Sequence, residues 1–346
     1  MKTFFPAIVG NDALCRRIGA ELHAGTLSHA YILQGQRGSG KHTLALQMAM
    51  AAACENKQDT AHPLPCGTCR LCRRIASGNC PDVIRVGREP DKATLGVNVI
   101  RALRGGVATV PNDLDVKFYV IEDAHLMTEE AQNAFLLTLE EPPPFVVFLL
   151  LCEDTDALLE TVRSRAPILR LLPVKENDMR KHLLTAKEAI AAGAPALAEE
   201  HPEEFAALIT LANGSIGRAL SLLDPELRAP LMKQRDFATR LLLSLADGNK
   251  GEQLLHLILS LGTTRKTIAA ELSVLLLAIR DLVLLSRAET AALLFFSDRE
   301  EATELCARFT VKRLLALSSA IENAQNALIA NANVKITLAH LLSQFL

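Results

Sequence analysis

Gly35-Gln36-Arg37-Gly38-Ser39-Gly40-Lys41 constrains this chain more than any other stretch. The apolar run Ala30-Tyr31-Ile32-Leu33 precedes it and the Ala/Met/Leu-rich stretch from Leu44 to Ala53 follows, so the glycines join a strand to the first turn of a helix. Backbone N–H groups at such a turn converge on the positive end of the helix dipole and cradle phosphate, with Lys41 in reach of the β and γ phosphates of a nucleotide. The phosphate-loop pattern next asks for Ser or Thr to hold magnesium. His42 stands there, and Thr43 comes one place late. Gly35, Gly38, Gly40, Lys41, His42 and Thr43 are therefore the candidate nucleotide residues, with the metal position already altered.

A second element is acidic. Glu122-Asp123-Ala124-His125 closes the strand-like run Phe118-Tyr119-Val120-Ile121, where phosphate-loop ATPases carry Asp and then Glu for the metal and the attacking water. The order here is reversed. Shortening the water-activating carboxylate to Asp123 withdraws it by about 1 Å, a displacement that costs on the order of a hundredfold in rate. Glu122 and Asp123 join the degenerate nucleotide set, and weak or lost hydrolysis is the expectation.

The next apolar run, Phe145 to Leu151, is separated from 118–121 by a helical stretch, Glu129 to Leu139. This alternation predicts an α/β domain with a parallel sheet covered by helices over residues 1–173. Beyond Pro173 the chain turns to Ala, Leu, Glu and Lys and reads as helix to Leu346. Breaks at Asp224-Pro225 and from Gly248 to Gly251 divide it into a small helical domain, 174–235, and an all-α domain, 236–346. At roughly 150 residues per domain, 346 residues suit two or three domains. In the last one Leu254, Leu257, Ile258 and Leu261, then Ile336, Leu338, Leu341 and Leu342, supply more helically spaced apolar positions than one bundle core requires, which reads as oligomerisation, with a self-contained helical bundle as the alternative.

Cys54, Cys66, Cys69 and Cys72 form C-x11-C-x2-C-x2-C around the turn Pro65-Cys66-Gly67-Thr68, a spacing that aims four sulfurs at one tetrahedral ion. The reading is a structural Zn2+ in a module at about 54–80, far in sequence from the carboxylates and with no open coordination position. Cys80 lies beyond the compact set. Cys15, Cys152 and Cys306 are solitary in apolar settings and read as core.

The charged groups almost cancel, 37 basic against 39 acidic, so no chain-wide basic field draws in nucleic acid. Eight Lys/Arg between Arg70 and Arg104 make one face locally basic. The first six residues are too short an apolar stretch for a signal peptide, and the runs Phe145–Cys152 and Val274–Ile279 fall below the ~20 residues of a membrane span. A cytoplasmic protein is expected, which also argues against disulfides among its 8 cysteines.

Ser28-His29-Ala30-Tyr31, the four cysteines, Ile121-Glu122-Asp123-Ala124, the run from Asn133 to Glu141-Pro142-Pro143, and Ser164-Arg165 together resemble the clamp-loader AAA+ subunits of bacterial DNA polymerase III. Leu139-Glu140-Glu141-Pro142-Pro143 is the most specific of these. Asn213-Gly214-Ser215-Ile216-Gly217-Arg218-Ala219 resembles the sensor 2 of the lid, which adds Arg218 to the nucleotide set, and the helical end resembles the collar. With its degraded nucleotide motifs and an end just after the collar, the chain looks most like the delta-prime type. The resemblance implies a stator in a five-membered ring with gamma or tau ATPases and delta, which loads the sliding clamp onto primed DNA, with no membrane involved. It also implies that Arg165 acts in trans as an arginine finger, although Ala166 replaces the Cys of the family's Ser-Arg-Cys, and that Cys152-Glu153-Asp154 lacks the sensor 1 Thr or Asn. Two other readings stand beside it. One is an active gamma/tau-type ATPase with His42 or Thr43 serving the metal. The other is a phosphate-loop kinase with a zinc insert, which Arg218 and the long helical end disfavour.

Overall fold

A computed structural model describes residues 3–59, 61–248, 251–262, 264–288 and 293–346. The start at Met1-Lys2, and Asn249-Lys250 within the expected break at 248–251, lie outside the described residues.

In chain order the first elements are α1 (Asp12–Ala24), β1 (Ala30–Gln34), α2 (Lys41–Ala53), α3 (Arg70–Ala76), β2 (Val83–Val86), α4 (Val97–Val107), β3 (Lys117–Ile121), α5 (Glu129–Glu140), β4 (Val146–Cys152), α6 (Glu160–Arg163) and β5 (Ile168–Arg170). The strands form one parallel sheet in the order β2-β3-β4-β1-β5. β4 is buried at every position, which explains why it reads as one unbroken apolar run: helices cover both faces of the sheet. Alternate residues divide between the two faces. Tyr31 and Leu33 join Phe118, Val120, Leu149 and Leu151 under α1, α2 and α3. Ala30 and Ile32 join Tyr119, Ile121, Phe148 and Leu150 under α4 and α5.

One buried charge organises an edge of this domain. Asp82 is fully buried and accepts hydrogen bonds from the backbone N–H groups of Asn112, Asp113 and Leu114 at 2.8, 2.6 and 2.9 Å, so it ties the turn that enters β3 to the start of β2. Three backbone donors are what a buried carboxylate needs to remain ionised.

The remaining elements are helices: α7 (Glu176–Thr185), α8 (Lys187–Ala191), α9 (Ala194–Glu200), α10 (Pro202–Ala212), α11 (Ile216–Ser221), α12 (Pro225–Ala246), α13 (Glu252–Leu259), α14 (Arg265–Leu285), α15 (Arg299–Ala307), α16 (Val311–Ile329) and α17 (Val334–Phe345). α12 is continuous, so residues 235 and 236 fall inside one helix. Leu241, Leu242, Leu272, Leu275, Leu317 and Ile321 form the core of its bundle. Asp281, also fully buried, accepts from the Leu294 and Phe295 N–H groups at 2.8 and 2.7 Å and pins the segment before α15. Two compact units result: Met1–His182 with Gly214–Arg218, and Leu183–Asn213 with Ala219–Leu346. Among the described residues no helix is long and apolar enough to cross a membrane.

Candidate functional site

The glycine loop follows β1 at the carboxyl edge of the sheet, where open parallel sheets bind ligands. Gly38 and Gly40 adopt φ of 75° and 97°, which side chains disfavour, and the helix opens at Lys41. The Lys41 side chain is turned back on the loop: its buried ammonium donates to the carbonyls of Gly35 and Gln36 at 2.5 and 2.9 Å. Burial lowers its pKa, opposed by the nearby carboxylates of Glu153 and Asp123. The Ser39 hydroxyl is buried in the same loop without a protein partner.

Gly214–Arg218 lies against the loop within the same compact unit. Ser215 Oγ donates to the Arg37 carbonyl at 2.9 Å and the Gly217 N–H to the Gly38 carbonyl at 2.9 Å. A Cβ on Gly38 would meet Ser215 Oγ at 2.5 Å and Arg218 N at 3.0 Å, so glycine is required by crowding as well as by φ. The sensor-like segment thus reaches the loop through Ser215 and Gly217, while the Arg218 side chain is exposed.

At the end of β3 both carboxylates are engaged by the chain's own cations. Glu122 Oε1 receives Arg85 Nε at 2.9 Å and lies 3.2 Å from His42 Nε2; Asp123 Oδ2 receives Arg88 NH2 at 3.3 Å. Asp123 itself sits at φ 50°, in the left-handed region. These pairs are partly exposed and add little stability. Their effect is local: a cationic group holds one oxygen of each carboxylate, Glu122 Oε1 and Asp123 Oδ2, where a divalent metal would compete for it, and His42 stands beside Glu122 instead of offering a hydroxyl. Thr43 is exposed on α2. The loop therefore fits a phosphate, with the Ser39 hydroxyl still to be satisfied, better than it fits the accompanying magnesium.

The four sulfurs of Cys54, Cys66, Cys69 and Cys72 lie within 4.8 Å of one another, and Cys66 Sγ is 4.0 Å from Cys72 Sγ. Zn–S bonds of about 2.3 Å set tetrahedral edges of about 3.8 Å, so an ion would draw the set in by about 1 Å. The Cys69 and Cys72 N–H groups donate to Cys66 Sγ and Cys69 Sγ, each at 3.4 Å, the pattern that supports thiolates. Burial opposes ionisation of Cys66, yet donors from Cys69 and Thr68 carry its pKa down to about 6. Burial raises Cys54 and Cys72. The donor set fits zinc, and Cys80 is outside it.

Arg165 follows α6. Its NH2 donates to Glu140 Oε1 at 2.8 Å and its NH1 to the Thr161 carbonyl at 3.0 Å. Ala166 is buried in the core where a cysteine was the expected residue, so it serves packing.

Residues 10–175 match the family model described as DNA polymerase III, delta subunit. Over 222 residues the chain is 32% identical to DNA polymerase III subunit gamma of Buchnera aphidicola subsp. Schizaphis graminum, covering 64% of this chain and 57% of that protein. Over 159 residues it is 35% identical to DNA polymerase III subunit delta' of Bacillus subtilis, covering 46% of each. Over residues 10–175 this chain is thus similar to clamp-loader subunits of DNA polymerase III. The chain spans about half the length of these curated relatives. A gamma subunit-related protein from Thermotoga maritima superposes with a TM-score of 0.43 at 17% identity, over 95% of this chain and 98% of that one.

The sequence does not single out Arg85 and Arg88, nor the pairing of Glu140 with Arg165. Nothing local in the sequence marks Arg85 and Arg88, because their partners come from the neighbouring strand, 37 and 35 residues away. Glu140 was visible within the Leu139–Pro143 motif, but its partner, 25 residues on, was not.

Proposed function

We propose that this chain is a delta-prime-type stator of the bacterial clamp loader, a cytoplasmic hetero-oligomeric AAA+ assembly that places a sliding clamp on primed DNA within the DNA polymerase III holoenzyme. The observation that carries this reading is the neutralised acidic pair. Glu122 Oε1 is engaged by Arg85 and His42, and Asp123 Oδ2 by Arg88, so a metal or an aligned water must compete with the chain's own cations for both carboxylates. Gly35, Gly38, Gly40 and Lys41 retain the frame of a phosphate loop, with Arg218 beside it, so phosphate affinity can outlast turnover.

In this reading residues 1–173 form the AAA+ domain, 174–235 the lid, and 236–346 the collar that joins the gamma/tau and delta subunits. Arg165 is the group offered to a neighbouring subunit's ATP, where a guanidinium stabilises charge developing on the transferred phosphate. Cys54, Cys66, Cys69 and Cys72 hold one structural Zn2+, which cross-links the loop after α2 to α3.

The identity to gamma subunits favours a second reading, an active gamma/tau-type ATPase. ATP turnover by the purified full chain, alone and with primed DNA, separates the two. No turnover above background from the isolated chain, with restored clamp loading when it joins the ATPase subunits, is the stator outcome. Robust DNA-stimulated turnover by the isolated chain is the ATPase outcome.

A further inference from the structure

α5 ends in Glu140, with Glu141 directly after it and no basic residue in its last turn. Carboxylates there face the negative end of the helix dipole, an unfavourable arrangement. Pro142 follows at once and cannot extend the helix, which fixes where the acids stand.

The compensating charge comes from a different element. Arg165 NH2 donates to Glu140 Oε1, and Arg165 NH1 donates to Thr161 O, a carbonyl of the short helix α6. One contact would leave the guanidinium free to swing. Two contacts from two elements fix its plane, and the side chain is still 35% exposed.

Resting on the finger role assigned to Arg165 above, we propose that Glu140 is a positioning residue, whose carboxylate holds the guanidinium in the orientation it presents to the neighbouring subunit's phosphates. This gives the Glu of the Leu139–Pro143 motif a function within the ring's ATP turnover. Glu140 also offsets part of the finger's charge, so its removal has two opposed effects. Orientation dominates, because stabilising a transition state needs donors fixed in place before the reaction, and a swinging arginine spends its charge on water.

The test uses the full ring, reassembled with its AAA+ ATPase subunits and carrying Glu140→Gln, Glu140→Ala, Arg165→Ala or the double variant Glu140→Ala/Arg165→Ala in this chain. ATP turnover is resolved into kcat and KM, and assembly is followed by size-exclusion chromatography. Glu140→Ala is expected to remove roughly half or more of the kcat that Arg165→Ala removes, with KM and assembly unchanged. Glu140→Gln keeps an acceptor oxygen and loses less. The double variant is expected to be no slower than Arg165→Ala, because both changes disable one device. If Arg165→Ala slows the ring while the Glu140 variants run at or above the unmodified kcat, the positioning role is overturned and the finger survives. A double variant slower than Arg165→Ala overturns it as well, since Glu140 then acts elsewhere. If Arg165→Ala has no effect, the finger reading fails and takes this one with it.

Discussion

Gly217 and Gly38 meet backbone to backbone: the Gly217 N–H donates to the Gly38 carbonyl at 2.9 Å, and a Cβ on Gly217 would lie 2.9 Å from the Gly38 Cα. The loop that would cradle phosphate is thereby in direct contact with a segment 179 residues further along the chain. Any rearrangement of one is felt by the other.

Gly217→Ala forces backbone apart at that contact, and no flexible side chain is available to give way. A loss of roughly 1–3 kcal/mol is expected, as for other overpacked sites, seen as a lowered urea midpoint at unchanged slope. A variant as stable as the unmodified chain would mean that the two segments separate freely in solution.

Elemental analysis of the purified chain is expected to give about one zinc per molecule. Cys69→Ser should abolish it and destabilise the module. Four thiols reactive in a folded, metal-free preparation would contradict the assignment.

Freeing Glu122 should restore metal before chemistry. With His42→Thr and Arg85→Ala combined, magnesium is expected to strengthen ATP binding in titration calorimetry, an effect that the unmodified chain lacks. Turnover should stay at background because Asp123 remains one methylene short. Binding to the unmodified chain that already depends on magnesium would show that the Arg85 pair opens readily.

Asp82 makes the fold acid-sensitive. Burial acts to raise its pKa, but the three backbone donors and Lys117 outweigh it and hold the group below its ordinary value. Because the folded value lies below the unfolded one, near 3.9, the stabilisation is complete above that range and is lost as pH falls through the folded value. Asp82→Asn should be less stable at pH 7 and show a flatter stability profile between about pH 5 and pH 2. Parallel profiles for the two proteins would remove Asp82 as a source of the acid response.

What the sequence determined by itself was local. Strand, glycine turn and helix around Gly35–Lys41, the unbroken apolar β4 and the closely spaced cysteines are all legible, because each depends on neighbours a few residues away and on periodicities of 2 and 3.6. The departure at His42 and the reversed acids could also be read directly. Tertiary structure alone decided what those side chains touch. Glu122 is captured by Arg85 because β2 lies next to β3 in the sheet order, and Arg165 is gripped by Glu140 because the fold brings the end of α5 to the segment after α6. Charged pairing at a distance leaves no periodic trace in a sequence, since an exposed arginine reads the same whether it faces water or a carboxylate brought in from another strand.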